Sequence, residues 1–208
     1  MFKYKTGNIT FIVTQNSLKE EKSDILFNWT VSDLSGGDPN FMEIHKEGGS
    51  GIYKECQGAL AQFGRKIADG TKAIPVGEAV LTNAGILPFK KLCHCVVPNY
   101  RNKEEKDNKN TLFLSAVNYS LALINDYSTH QQTIRKIALT PVPERICGEF
   151  DNKLVKQFIK LLISNAESFG FKEVKIICNT EAEYNLYKNL FSSEFISFWD
   201  KVYNKFFA

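Results

Sequence analysis

An α/β fold follows from three observations on the chain. Strand-like and helix-like segments alternate along most of its length. One segment, Asp24–Trp29 (DILFNW), is the continuous, mostly apolar run typical of a strand buried on both faces. Leu112, Ala116, Tyr119 and Leu123 recur at i, i+4, i+7 and i+11, which places one apolar stripe on a helix.

Taken in order, Phe2–Lys5 and Ile9–Thr14 are β-rich runs around Thr6-Gly7-Asn8 and predict a hairpin or neighbouring strands. Asp24–Trp29 is the buried strand. Ser50 is placed to cap a helix carrying Ile52, Cys56, Leu60, Phe63 and Ile67 at helical spacing. Ala79–Thr82 and Leu92–Val97 read as strands. Asn102–Asn110 (NKEEKDNKN) has no core-forming residue and reads as a charged loop, followed by the helix through Leu112–Leu123. Ile134–Leu139 is a strand, Leu154–Phe169 a helix stopped by Gly170, Val174–Cys178 a strand and Glu181–Phe191 a helix. The main domain is expected over residues 1–192. Residues 193–208 are aromatic-rich, with Phe195, Trp199, Val202 and Phe206 on one helical face. They predict a docked terminal helix, or a face for a protein partner.

Composition narrows the function classes. A 43% hydrophobic content suffices for a substantial core, and a net charge of +3 with interleaved lysines and acids gives no nucleic-acid or membrane signature. No apolar run is long enough to span a bilayer. The opening MFKYKTGN lacks the apolar core of a secretion signal, so an intracellular chain, cytoplasmic or nuclear and not secreted, is expected. The glycosylation-like triplets at Asn8, Asn28 and Asn118 are then accidental. Five cysteines without paired spacing fit a reducing compartment.

Cys93-His94-Cys95 carries metal-ligand residue types, but strand alternation puts the two thiols on one face and His94 on the other, and no second pair lies at ligand spacing. No metal and no cofactor are expected, and His45, His94 and His130 read as structural or exposed. The stretch Leu34–Gly49 (LSGGDPNFMEIHKEGG) is more informative. Gly36 and Gly37 precede a helix start, where free N–H groups form an anion site. Asp38 as N-cap and Pro39 as first helical residue give the alternative reading of a plain turn.

The order and spacing of these segments resemble the macro domain, an α/β module best known for binding ADP-ribose. Pro75–Pro98 is similar to the family's paired strands, with a Gly-Glu-Ala start, a Leu-Pro turn and a histidine in the second strand. Asp24–Asn28 resembles the central strand that ends in an asparagine-rich turn. Leu34–Gly49 falls on the first phosphate loop and its helix, and Lys136–Phe150 on a strand and the second phosphate loop. The resemblance runs from about Ile9 to Phe191 and implies a three-layer α/β/α architecture with a mixed central sheet.

It also implies a site at Gln15, Asn28, Ser35, Gly36, Gly37, Arg145 and Gly148. The family's adenine-contacting aspartate falls on Gln15, or on Asn8 in a poorer alignment. Asn28 keeps the first asparagine of the strand-end turn, whereas the second falls on Val31, and an aspartate that assists water attack in one hydrolase branch falls on Phe41. The second loop's Ser-Thr-Gly becomes Pro143-Glu144-Arg145, and the aromatic that often stacks on adenine becomes Cys178. Losing two polar catalytic positions argues against the usual hydrolysis. The expectation is therefore a non-catalytic binder of ADP-ribose or a related nucleotide, with no catalytic residue assigned. The alternatives are an interaction or structural module that has lost the nucleotide, and an ADP-ribosyl hydrolase with non-standard residues.

Overall fold

The computed structural model describes residues 1–36, 39–148 and 152–192. In chain order its elements are β1 (Phe2–Thr6), β2 (Ile9–Thr14), a 3-10 turn (Leu18–Glu20), β3 (Ile25–Thr30), α1 (Pro39–Gly48), α2 (Ser50–Phe63), β4 (Arg65–Lys66), β5 (Lys72–Ala73), β6 (Ala79–Thr82) and β7 (Lys91–Val96). There follow α3 (Lys103–Asp107), α4 (Lys109–His130), β8 (Lys136–Leu139), α5 (Glu144–Cys147), α6 (Asn152–Phe169), β9 (Glu173–Ile177) and α7 (Glu181–Leu190). The expected terminal helix over 193–208 lies outside the described residues.

Seven strands form one mixed sheet in the order β1-β2-β9-β8-β3-β7-β6, while β4 and β5 make a separate two-stranded ribbon. The five inner strands run parallel, and β1 and β6 are antiparallel edges. Alternation along β3 divides the core. Ile25, Phe27 and Trp29 face the layer built by α4 and α6, whereas Leu26 faces the layer of α1 and α2. The architecture is thus the expected three-layer α/β/α with a mixed central sheet. Trp29 anchors the larger core, its ring centroid 5.7 Å from Phe113 and 6.1 Å from Phe158. Its Nε1–H donates to the Thr140 carbonyl at 3.2 Å, which ties the core to the end of β8.

Three local expectations are corrected. The helix expected to reach Ile67 ends at Phe63, because Gly64 turns extended (φ −64°, ψ 137°) and the chain enters β4, leaving Ile67 50% exposed. Ser50 is the first residue of α2 rather than its cap; Gly49 holds the cap position with φ 78°. The expected loop over Asn102–Asn110 contains α3. The Asn102 side chain accepts from the N–H groups of Glu104 and Glu105, and those two carboxylates lie at the favourable end of the helix dipole.

Candidate functional site

The parallel strands end together. Beyond β3 the chain continues through α1 and α2 towards β7 on one side; beyond β8 it continues through α6 to β9 on the other. The loops after β3 and β8 therefore leave neighbouring strands in opposite directions. This is the crevice at which open α/β sheets hold ligands. Both loops contain a glycine in the left-handed region, Gly36 with φ 99° and Gly148 with φ 72°. At Gly148 a Cβ would stand 3.3 Å from the Tyr100 Cβ as well.

Each residue expected at the site has a distinct position. Gln15 is exposed directly after β2, on the rim formed by the strand ends. Ser35 is exposed and Gly36 buried in the loop after β3. The Ser35 N–H donates to Asp33 Oδ1 at 2.9 Å and is not free for a phosphate. Its hydroxyl remains as the group to present. Gly37 lies outside the described residues, as does Asp38. Arg145 belongs to α5, which Gly148 closes by donating its N–H to the Glu144 carbonyl at 2.7 Å. Val31, at the position of the second asparagine, packs partly buried against the larger core. Phe41 lies in α1.

Asn28 is set back from the rim. It is opposite His94 in the β3–β7 register, and both are at most 1% exposed. The Asn28 amide Nδ2 lies 2.9 Å from His94 Nδ1, and Thr82 Oγ1 lies 2.7 Å from His94 Nε2. A single direction of donation satisfies the chain: Asn28 Nδ2–H to Nδ1, Nε2–H to Thr82, and the Thr82 hydroxyl to the Asn83 carbonyl at 3.1 Å. His94 is consequently neutral. Burial first, and the nearby His45 second, push its pKa down to about 3. Strand alternation is as expected here, with Cys93 and Cys95 in the larger core and His94 on the other face. His94 faces Cys56 of α2, whose Sγ is 3.8 Å from Nε2; burial pushes that thiol up to about 12, so the pair is no nucleophile and base. Among the described residues no three His, Cys, Asp or Glu side chains gather as a metal site.

Three features of the second loop escape the sequence reading. The Tyr187 hydroxyl, buried beneath the loop, accepts the Val142 N–H at 3.0 Å. The Tyr100 N–H donates to the Ile146 carbonyl at 2.9 Å, which joins the loop after β7 to α5. Its ring is 40% exposed beside the guanidinium of Arg101, 5.8 Å from the ring centroid. Thr140, 1% exposed at the head of the loop, has an Oγ1 with no protein partner among the described residues. Cys178, at the end of β9, is buried and its thiol is pushed up to about 12 by burial and by Glu183, so it offers an apolar surface rather than a charge.

The macro domain family model matches residues 30–159. The chain belongs to the macro domain family. Among named relatives, a macro domain-containing protein of Listeria monocytogenes is 23% identical over 184 residues, 88% of this chain and 98% of the relative. The O-acetyl-ADP-ribose deacetylase of Escherichia coli K12 is 26% identical over 184 residues, 88% of this chain and 95% of the relative. Among solved structures, the Oceanobacillus iheyensis macrodomain with MES bound has a TM-score of 0.75 at 17% identity, covering 96% of this chain and 97% of that one. The Trypanosoma brucei macrodomain in complex with ADP-ribose has a TM-score of 0.67 at 16% identity, covering 88% and 69%. Macro-domain membrership thus rests on the sequence match, and the shared fold on the structures. No helix among the described residues is long and apolar enough to cross a membrane.

Proposed function

We propose that this macro domain is a non-catalytic binder of ADP-ribose or a related nucleotide, held at the ends of β3 and β8. The observation that carries the reading is the pair of positive-φ glycines, Gly36 and Gly148, one in each loop leaving the switch point. Such positions let backbone approach an anionic diphosphate more closely than a side chain allows. The T. brucei macrodomain with ADP-ribose and the O. iheyensis macrodomain with ADP support the ligand class. Gln15, the Ser35 hydroxyl, Gly36, Gly37, Arg145 and Gly148 are the proposed contacts, with Asn28 supporting the floor through His94. Val31 supports the non-catalytic part, since an isopropyl group cannot orient a water or a ribose hydroxyl.

Calorimetric titration with ADP-ribose tests binding, and incubation with O-acetyl-ADP-ribose tests catalysis. Saturable heat without turnover is expected; turnover well above a buffer control would overturn the non-catalytic reading. Asp33 on the Ser35 amide and Pro143 at the head of α5 favour a second reading, an interaction module that has lost the nucleotide. That reading wins if neither heat nor chemical-shift change accompanies high-micromolar ADP-ribose. Its partner surface is then sought by deleting residues 193–208 and comparing co-purified proteins. The buried thiols of Cys56, Cys93 and Cys178, which form no disulfide, support a reducing cellular compartment, cytoplasm or nucleus.

A further inference from the structure

The antiparallel edge at β1 differs on its two faces. Lys3 and Lys5 are exposed on one, whereas Phe2, Tyr4 and Thr6 stand half-buried on the other. That second face belongs to the layer of the larger core, against which Phe2 and Tyr4 pack. In this layer α4 packs over β6 and β7 and α7 over β2, so β1 stands just beyond α7.

The chain leaves α7 at this place. Phe191, fully buried, stacks on Phe11 with ring centroids 5.2 Å apart and lies 5.9 Å from the Tyr4 centroid. Ser192 then turns the backbone, its N–H and its hydroxyl both donating to the Asn189 carbonyl, at 3.2 and 2.8 Å. In the segment that follows, the sequence spaces Phe195, Trp199, Val202 and Phe206 on one helical face and Ser197, Asp200, Lys201 and Asn204 on the opposite one. Ser193 is a favoured N-cap, and Glu194 falls in the first turn, where a carboxylate suits the helix dipole. A connection this short joins antiparallel helical neighbours. The segment is also long enough, since residues 193–208 as a helix measure about 24 Å and β1 about 17 Å.

We infer that the occupant of the β1 face is residues 193–208 of the same chain, packed as a helix antiparallel to α7 with Phe195 and Trp199 against Phe2 and Tyr4. The aromatic face is then part of the larger core rather than a surface for another protein. It also braces the second loop from a distance, because α7 carries the Tyr187 hydroxyl that accepts the Val142 N–H at 3.0 Å.

Tryptophan fluorescence tests the placement without any nucleotide. The chain has two tryptophans, and Trp29 is 2% exposed, so a steeply quenched component reports on Trp199. Acrylamide quenching of the full chain is expected to give one shallow Stern–Volmer line, unchanged on dilution. Phe195→Asp, which alters only the segment, and Tyr4→Asp, which alters only the strand, should each at least double the slope, and Trp199→Phe should return either variant to the shallow line. Melting curves check that both variants fold. Hydrogen exchange at Val142 should quicken in Phe195→Asp. Steep quenching in the native chain would mean an undocked segment and would overturn the inference. Shielding that is lost on dilution, with a matching change in sedimentation, would overturn it in favour of a second copy. A slope that Tyr4→Asp leaves unchanged would place the segment elsewhere, and unchanged Val142 exchange in Phe195→Asp would remove the bracing.

Discussion

His94 shows what a single residue contributes and what it costs. Its folded pKa lies below the value of 6.5 it has when exposed, so the unfolded chain binds more protons between those two values. Stability from this group is fully present above pH 6.5 and is lost as pH falls towards 3, at up to about 1.4 kcal/mol per pH unit. His45, lowered by burial as well, acts in the same direction. The expected result is a melting temperature that drops steeply from pH 6.5 to 4, and a shallower drop in His94→Gln across the same range. An equal slope in both proteins would show that His94 is not the group responsible. Asn28→Ala removes the donor to Nδ1 and leaves a buried acceptor unpaired, a loss of about 1–3 kcal/mol measurable by urea denaturation at pH 7. Val142 of the second loop and Tyr187 of α7 make a comparable pair.

At the scale of elements, strands and helices were largely legible from spacing, because each depends on side chains a few positions apart. β6 is Ala79–Thr82 as the sequence reads, and Gly170, with φ 72°, follows α6 as its stop signal predicts. What lay hidden depends on partners distant in sequence. Glu21 and Lys175 pair at 2.6 Å across the sheet, and Tyr187 reaches Val142, without any local pattern to announce either contact. The Asp33–Ser35 hydrogen bond is different: an aspartate two residues before a loop amide is a readable Asx turn, and that signal was present. Caps were legible in kind rather than place, as Ser50 and Asn102 show. For α7 the cap is a reciprocal pair, Thr180 accepting from the Glu183 N–H while Glu183 accepts from the Thr180 N–H. Thr180→Ala is expected to cost about 0.5–2 kcal/mol. Because α7 carries Tyr187, hydrogen exchange at Val142 should rise in that variant; unchanged exchange there would separate the cap from the loop.

For the whole molecule, the proposed binding couples site and stability. A binder specific for the folded state gains about 2.7 kcal/mol at a free concentration one hundred times Kd. ADP-ribose should therefore raise the melting temperature of the native chain. Gly148→Val places a branched side chain at φ 72°, against Tyr100, and is expected to lower stability by about 1–3 kcal/mol and to remove the ligand-dependent increment. A variant that melts early yet retains the full increment would mean that no phosphate rests on that loop. The adjacency of β3 and β8 also bears on the order in which the molecule is made. They are neighbours in the sheet, but α1 through α4 lie between them along the chain. A ribosome that has released β3 and the Gly36 turn holds half a crevice, and the opposite wall arrives only after α4 and β8 have emerged. Closing so long a segment is slow relative to forming either helix layer. The proposed nucleotide site is thus a late product of synthesis, and in refolding ADP-ribose should recognise only chains that have already paired their central strands.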